Sequence, residues 1–246
     1  MAPAKKTFVI SRPAVAGDAA SRIAEIHLAA MDSNPLLHAQ FPTSSSLAAL
    51  QTFLESHTAI QLLVAASGTG GGGVLVAQDP QQHDQGWPPM VVGFAKWDSP
   101  SSSSHHREDV VKLETGDLQQ QVEGCRREFL DGYAALAEEA KKRVFGDEGC
   151  YHLSFVCIDP VYQGQGAGKQ LTQAVLNMAA ADGLPVYLES TEVAVPMYER
   201  LGFKAVGSFE MKIPRRGGGR DSRPKEEEEE EEAEIYREVC MVWRSD

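Results

Sequence analysis

Apolar positions along the chain change their spacing several times, and each change predicts an element. Phe8 to Ser11 is a short strand-like run. After Asp18, a helix-capping residue type, Ile23, Ile26, Ala30 and Met31 recur at helical intervals. Asn34-Pro35 breaks that helix, Phe41 to Ser44 reads as a turn, and Leu47, Leu50, Phe53 and Leu54 mark a second amphipathic helix. The compact apolar runs Ile60 to Ala65 and Val74 to Ala77 predict strand pieces on either side of a glycine-rich linker at 67–73. Met90 to Trp97 predicts the next strand. Val122, Cys125, Phe129, Tyr133, Leu136 and Ala140 then step by three and four, which predicts a helix from Leu118 to about Val144, inserted between strands with one face buried.

Downstream the pattern becomes strand, helix, strand: Leu153 to Ile158, Gly166 to about Ala181, and Val186 to Glu189. A short helix ends at Gly202, where a residue without Cβ suits a left-handed cap. Ala205 to Ile213 and Glu238 to Trp243 are predicted closing strands. Between them, 215–234 holds glycines, a proline and seven consecutive glutamates. It offers no apolar face to bury, so it reads as a flexible loop, as does the polar stretch 99–117. Strands and helices mixed in this order give an α/β (α+β) class, and 1–246 reads as a single domain carrying these three insertions or loops.

Composition narrows the function. With 42% hydrophobic and 24% charged residues, the chain can bury a sizeable core. Its net charge is −12, of which the run Glu226 to Glu232 accounts for seven, so the remainder is mildly acidic. An acidic surface with no basic stripe argues against nucleic acid and fits cationic or amine ligands. Four scattered cysteines without a Cys-x-x-Cys pair argue against a metal site and against redox motifs. No apolar stretch reaches the ~18 residues of a membrane span, so the expectation is a soluble cytoplasmic protein with possible nuclear access.

The stretch Cys157-Ile158-Asp159-Pro160-Val161-Tyr162-Gln163-Gly164-Gln165-Gly166-Ala167-Gly168-Lys169 places a glycine-rich turn between a buried strand and a helix start. The first turn of a helix has unsatisfied N–H donors and a partial positive charge, and glycines let phosphates come close to the backbone. Three phosphate motifs compete here. A Walker A loop would need glycine at Gln163 and Ser or Thr at Gln170; a dinucleotide fingerprint read from Gly164 would need glycine at Lys169. Both fail, leaving Gln-x-x-Gly-x-Gly after strand-Asp-Pro.

On these residues the chain resembles the GNAT superfamily of acetyl-CoA-dependent N-acyltransferases. The likeness continues through Tyr187-Leu188-Glu189-Ser190-Thr191-Glu192-Val193-Ala194-Val195-Pro196-Met197-Tyr198-Glu199-Arg200-Leu201-Gly202-Phe203, which has the form of the family's second motif, a short helix with Tyr ahead of Gly-Phe. It is close over 151–211 and rests on element order before that. Within the superfamily it looks most like small-molecule acetyltransferases of the puromycin-resistance type and their fungal relatives.

The resemblance implies a central, mixed and twisted sheet of about six to seven strands, flanked by helices, whose two central strands splay apart around the pantetheine arm of acetyl-CoA. It implies that backbone groups of Cys157 and Ile158 meet the pantetheine amides and that amides of Gln163, Gly164, Gln165, Gly166, Ala167 and Gly168 hold the pyrophosphate, with Lys169 adding charge. The implied reaction is direct attack of an amine on the thioester. Tyr198 matches the family's proton donor to the departing thiolate. The base that neutralises the amine is open among Glu189, His152 and water, with Glu189 placed first; Phe41 and Trp97 are candidate linings of the acceptor pocket. The expected acceptor is a primary amine of a small molecule, used by a monomer or homodimer without metal. A peptide or protein acceptor, or a non-catalytic acyl-CoA-binding module, is the alternative.

Overall fold

The computed structural model describes residues 6–13, 19–67, 71–80, 90–100, 122–146, 148–215 and 233–245. Seven strands form one sheet in the order β1-β2-β3-β4-β5-β7-β6. They are β1 (Val9–Ser11), β2 (Gly72–Gln78), β3 (Val91–Asp98), β4 (Tyr151–Ile158), β5 (Val186–Thr191), β6 (Lys204–Pro214) and β7 (Ala233–Trp243). The helices are α1 (Ala19–Met31), α2 (Pro35–Gln40), α3 (Ser44–Ser67), α4 (Arg127–Phe145), α5 (Ala167–Ala181) and α6 (Val195–Glu199).

Every strand pair is antiparallel except β4 with β5. That pair is in register at only two positions, Tyr151 with Val186 and His152 with Tyr187. Both strands run on beyond this contact, so they diverge toward their C-terminal ends and leave main-chain groups facing a gap in mid-sheet. A bulge at Ser154, where Lys96 pairs with Phe155 but Trp97 with Leu153, reverses the facing of β4 at the place where the gap opens. Leu153 therefore points to one face of the sheet, and Phe155 and Cys157 to the other.

Helix α5 covers the first face, burying Leu171, Val175 and Leu176 against Leu75, Val92, Leu153, Leu188 and Met241. Each such side chain contributes roughly 1.5–3 kcal/mol by leaving water. The opposite face has two separate covers. Ile23 and Ile26 of α1 and Leu62 of α3 pack on Val74, Val76, Phe94 and Cys157. Ala140 and Phe145 of α4 pack on Tyr187, Phe209, Cys240 and Val242. Over β4 and β5 these covers stand apart, which creates the cavity described below.

Four sequence expectations change here. Ile60 to Ala65 is the last part of α3, not a strand: the buried row Leu50, Phe53, Leu54, Thr58 and Leu62 keeps helical spacing while Ile60 and Leu63 face out. The helix starts with a reciprocal cap, Thr43 N–H to Ser46 Oγ and Ser46 N–H to Thr43 Oγ1, both 3.1 Å. The linker at 67–73 is shorter than read, because Gly72 and Gly73 are already in β2; a Cβ on Gly73 would stand 2.9 Å from the Trp97 ring, so the strand lies flat under the indole. The helix expected from Leu118 begins at Arg127, and Val122 instead packs among Leu37, Leu50 and Phe53. Asn34-Pro35 ends one helix and starts the next, with Asn34 Oδ1 accepting from Leu36 N–H at 2.9 Å. Asp18, residues 101–117 of the polar loop and 216–232 of the acidic stretch lie outside the described residues.

Candidate active site

The glycine-rich turn leaves the open end of β4. Asp159 Oδ1 accepts from Val161 N–H at 2.9 Å and sets a single 3₁₀ turn over Pro160–Tyr162, while its other oxygen pairs with Arg22 of α1. Gln163 folds back, donating from Nε2 to Ile158 O at 3.1 Å, and Gln165 donates to Val161 O at 3.0 Å. Gly164 and Gly166 have φ of +74° and +98°, a region that a side chain resists, so the backbone can turn its amides outward. The first turn-closing bond of α5 runs from Gln170 N–H to Gly166 O at 3.1 Å, so the amides of Ala167, Gly168 and Lys169 have no acceptor within the helix. Lys169 is exposed on the same turn. These donors and the helix dipole suit a diphosphate.

On the side away from the gap, Asp159 N–H bonds Val92 O of β3 at 2.9 Å, which fixes the alternation along β4. The main chain of Cys157 is thereby turned toward β3 and that of Ile158 toward the gap. The Cys157 thiol is buried and pushed up to about 12 by that burial, against a smaller opposing effect of Lys96. It is held as a neutral thiol, unsuited to nucleophilic attack.

The two base candidates meet. His152 stands on β4 and Glu189 on β5, just where the strands part, and His152 Nε2 lies 2.7 Å from Glu189 Oε2. The Glu189 side chain is 7% exposed and that of His152 23%. The second carboxylate oxygen, Oε1, is buried with no hydrogen-bond partner. Tyr198 comes from α6, which follows β5. The Phe203 N–H reaches back to Tyr198 O at 3.1 Å across Gly202, at φ +92°, and the Tyr198 and Phe203 rings meet edge-on at 5.4 Å. Burial first, then Cys157 and Glu238, raise the Tyr198 hydroxyl above its ordinary value, so it keeps its proton.

His152, Glu189, Cys157 and Tyr198 all border one cavity of about 690 Å³, and so do Phe41 and Trp97. Its floor is the sheet around β4 and β5, and its walls come from α1–α3 and α4. One wall holds His27, whose ring lies tilted against that of Phe155 at 4.6 Å between ring centres. Burial, helped by Lys96, lowers His27 to about 3 and keeps the imidazole neutral. The β7 side holds Glu238, Tyr236 and, from α4, Tyr133, none of which the sequence marks as a site residue. Glu238 was detectable: it shares an inward strand phase with Tyr236, Cys240 and Val242, where a charge is out of place. Among the described residues no group of three or more His, Cys, Asp or Glu could hold a metal ion, and no helix is long and apolar enough to cross a membrane.

Residues 118–212 match the family model described as an acetyltransferase (GNAT) domain. An uncharacterized N-acetyltransferase of Schizosaccharomyces pombe is 39% identical over 57 residues, 23% of this chain and 24% of its own length. An acetyltransferase of Stachybotrys chartarum is 26% identical over 147 residues, 58% of this chain and 59% of that protein. The chain spans about a quarter to three fifths of the length of such curated relatives. The solved structure of Drosophila melanogaster polyamine N-acetyltransferase superposes with a TM-score of 0.55 at 16% identity, covering 97% of this chain and 100% of that one, a likeness of fold. The likeness to the GNAT acetyltransferases is thus carried in sequence by residues 118–212 and extends over the rest of the chain as a likeness of fold.

Proposed function

We propose that the chain transfers an acetyl group from acetyl-CoA to a primary amine of a small molecule by direct attack on the thioester. The observation that carries this reading is that a buried carboxylate–imidazole pair and a protonated tyrosine border one cavity where β4 and β5 part. Acetyl-CoA supplies the acetyl group already activated as a thioester. The amides of 164–169 would hold its diphosphate, and the main chain of Ile158 would meet its pantetheine in the gap.

The amine needs a free lone pair, and most amines are protonated at neutral pH. His152, oriented by Glu189, takes that proton, directly or through water. The C–N bond then forms as the C–S bond breaks; the departing sulfur takes a proton from the Tyr198 hydroxyl, and the proton shed by the newly acylated nitrogen restores that hydroxyl. Cys157, kept neutral, forms no covalent intermediate. A small acceptor fits better than a peptide because α2, α3 and α4 wall the cavity on the side away from the sheet. The cytoplasm is the compartment this chemistry suits, since acetyl-CoA and reduced thiols are available there.

The test is release of free CoA thiol when purified protein meets acetyl-CoA and a panel of small primary amines. Amine-dependent release, with the acetylated amine identified by mass, is expected. Absence of release across the panel, in protein that binds acetyl-CoA, would refute the reaction and leave a binding module.

A further inference from the structure

The cavity contains a second carboxylate that the reaction above does not use. Glu238 on β7 is 6% exposed. Strand register sets Thr191 opposite Glu238 and Cys240 opposite Glu189, so the two carboxylates share one face of neighbouring strands, one diagonal step apart. Such a step separates side-chain roots by roughly 7 Å. Tyr133 donates to Glu238 Oε2 at 2.8 Å, and Tyr236 donates to Oε1. Asn34 Nδ2 in turn donates to the Tyr236 hydroxyl at 3.2 Å. The carboxylate is thus aimed by three side chains from α2's cap, α4 and β7.

Two buried carboxylates this close repel each other, and burial, together with Glu189, raises the Glu238 carboxyl. Among the described residues no lysine or arginine forms an ion pair with either one. The buried ammonium of Lys96 belongs to the β3 wall and donates to Thr58 Oγ1 at 3.0 Å. Glu189, whose Oε1 is buried and unpartnered, borders the same space. Each tyrosine occupies one lone pair of a Glu238 oxygen and leaves others for a cation. A ligand bearing positive charge at both ends would satisfy both groups at once.

We propose that Glu238, held by Tyr133 and Tyr236, is a cation subsite that makes the acceptor a diamine or an amine with a second protonated nitrogen. One nitrogen lies at His152 and Glu189 to be acetylated, and the other pairs with Glu238. This rests on the acetyl-transfer reading and names its substrate class. An acceptor that stays charged at its far end also explains why a cavity so largely apolar carries two acids on one side.

The experiment is calorimetric titration of the full chain with butane-1,4-diamine and with butylamine. The diamine is expected to bind at least about tenfold more tightly, as pairing of a buried charge requires, and Glu238→Gln is expected to bring the ratio toward one through loss on the diamine. Equal affinities in the unaltered protein, or a preference that survives Glu238→Gln, would overturn the proposal. A second arm needs no variant: across ethylenediamine to octane-1,8-diamine, affinity is expected to peak at one spacer length, and a flat profile would equally overturn it. Because binding is read without turnover, failure of CoA release with every amine would strike the reaction, and failure here would strike the subsite alone.

Discussion

The glycine-rich turn and the cavity are built on opposite principles. The turn is one continuous stretch from Asp159 to Lys169, and its donors are main-chain amides; side chains such as Gln163 and Asp159 only shape it. The cavity draws its polar groups from α1, β4, β5, α6, α4 and β7, and what it offers is side-chain chemistry. Asn34 and Tyr236, 202 positions apart, are joined by one hydrogen bond within it. A site made of backbone depends on spacing and glycine, whereas a site made of side chains depends on which strands become neighbours. On the proposed function, the first would hold a cofactor shared by many proteins, while the second would set what this chain accepts.

Substitutions should therefore separate the two regions. The largest effect is expected at Tyr198: Tyr198→Phe should lower kcat by about 10²-fold or more with little change in acetyl-CoA affinity, as single-turnover CoA release and calorimetry would show. An unchanged rate would remove the tyrosine from the chemistry. Next comes the turn. A side chain at Gly166, φ +98°, costs roughly 1–2 kcal/mol in left-handed backbone, so Gly166→Ala should weaken acetyl-CoA binding by about tenfold while sparing diamine affinity. Equal loss for both ligands would dissolve the distinction between the regions.

The smallest effect is on stability, at the apolar wall. His27 is near 6.5 when unfolded and about 3 when folded, so the unfolded chain binds a proton that the folded one refuses. That contribution is complete above 6.5 and is lost as pH falls toward 3, with a slope of up to about 1.4 kcal/mol per pH unit. His27→Leu should flatten it, as urea midpoints at several pH values in that window would show. An identical pH dependence in the variant would mean that other groups govern acid stability.

Sequence legibility follows the same division. From β4 through the glycine turn to α5, β5 and Gly202, alternation, helical period and glycine placement act within short windows and coincide with the elements observed. Ile60 to Ala65 misled because a run of apolar and β-branched residues looks alike in a buried strand and in a helix apolar on most sides, and only the 24-residue length of α3 distinguishes them. Val122 sits in helical step with Cys125 and Phe129 yet lies before α4, because packing against α2 and α3 claims it. In sequence His152 and Glu189 read as rivals because 37 residues separate them; the two-residue parallel contact of β4 with β5 makes them neighbours. Glu238 was visible only as a charge in an inward phase, and its tyrosine partners could not be assigned without knowing that β7 lies beside β5.

The central claim is that these former rivals act as one base at the parting of β4 and β5. The most direct measurement is a double-mutant cycle on kcat with His152→Ala, Glu189→Gln and the pair. A double variant about as slow as the slower single one is the predicted result, because a unit is lost only once; two losses that multiply would contradict it.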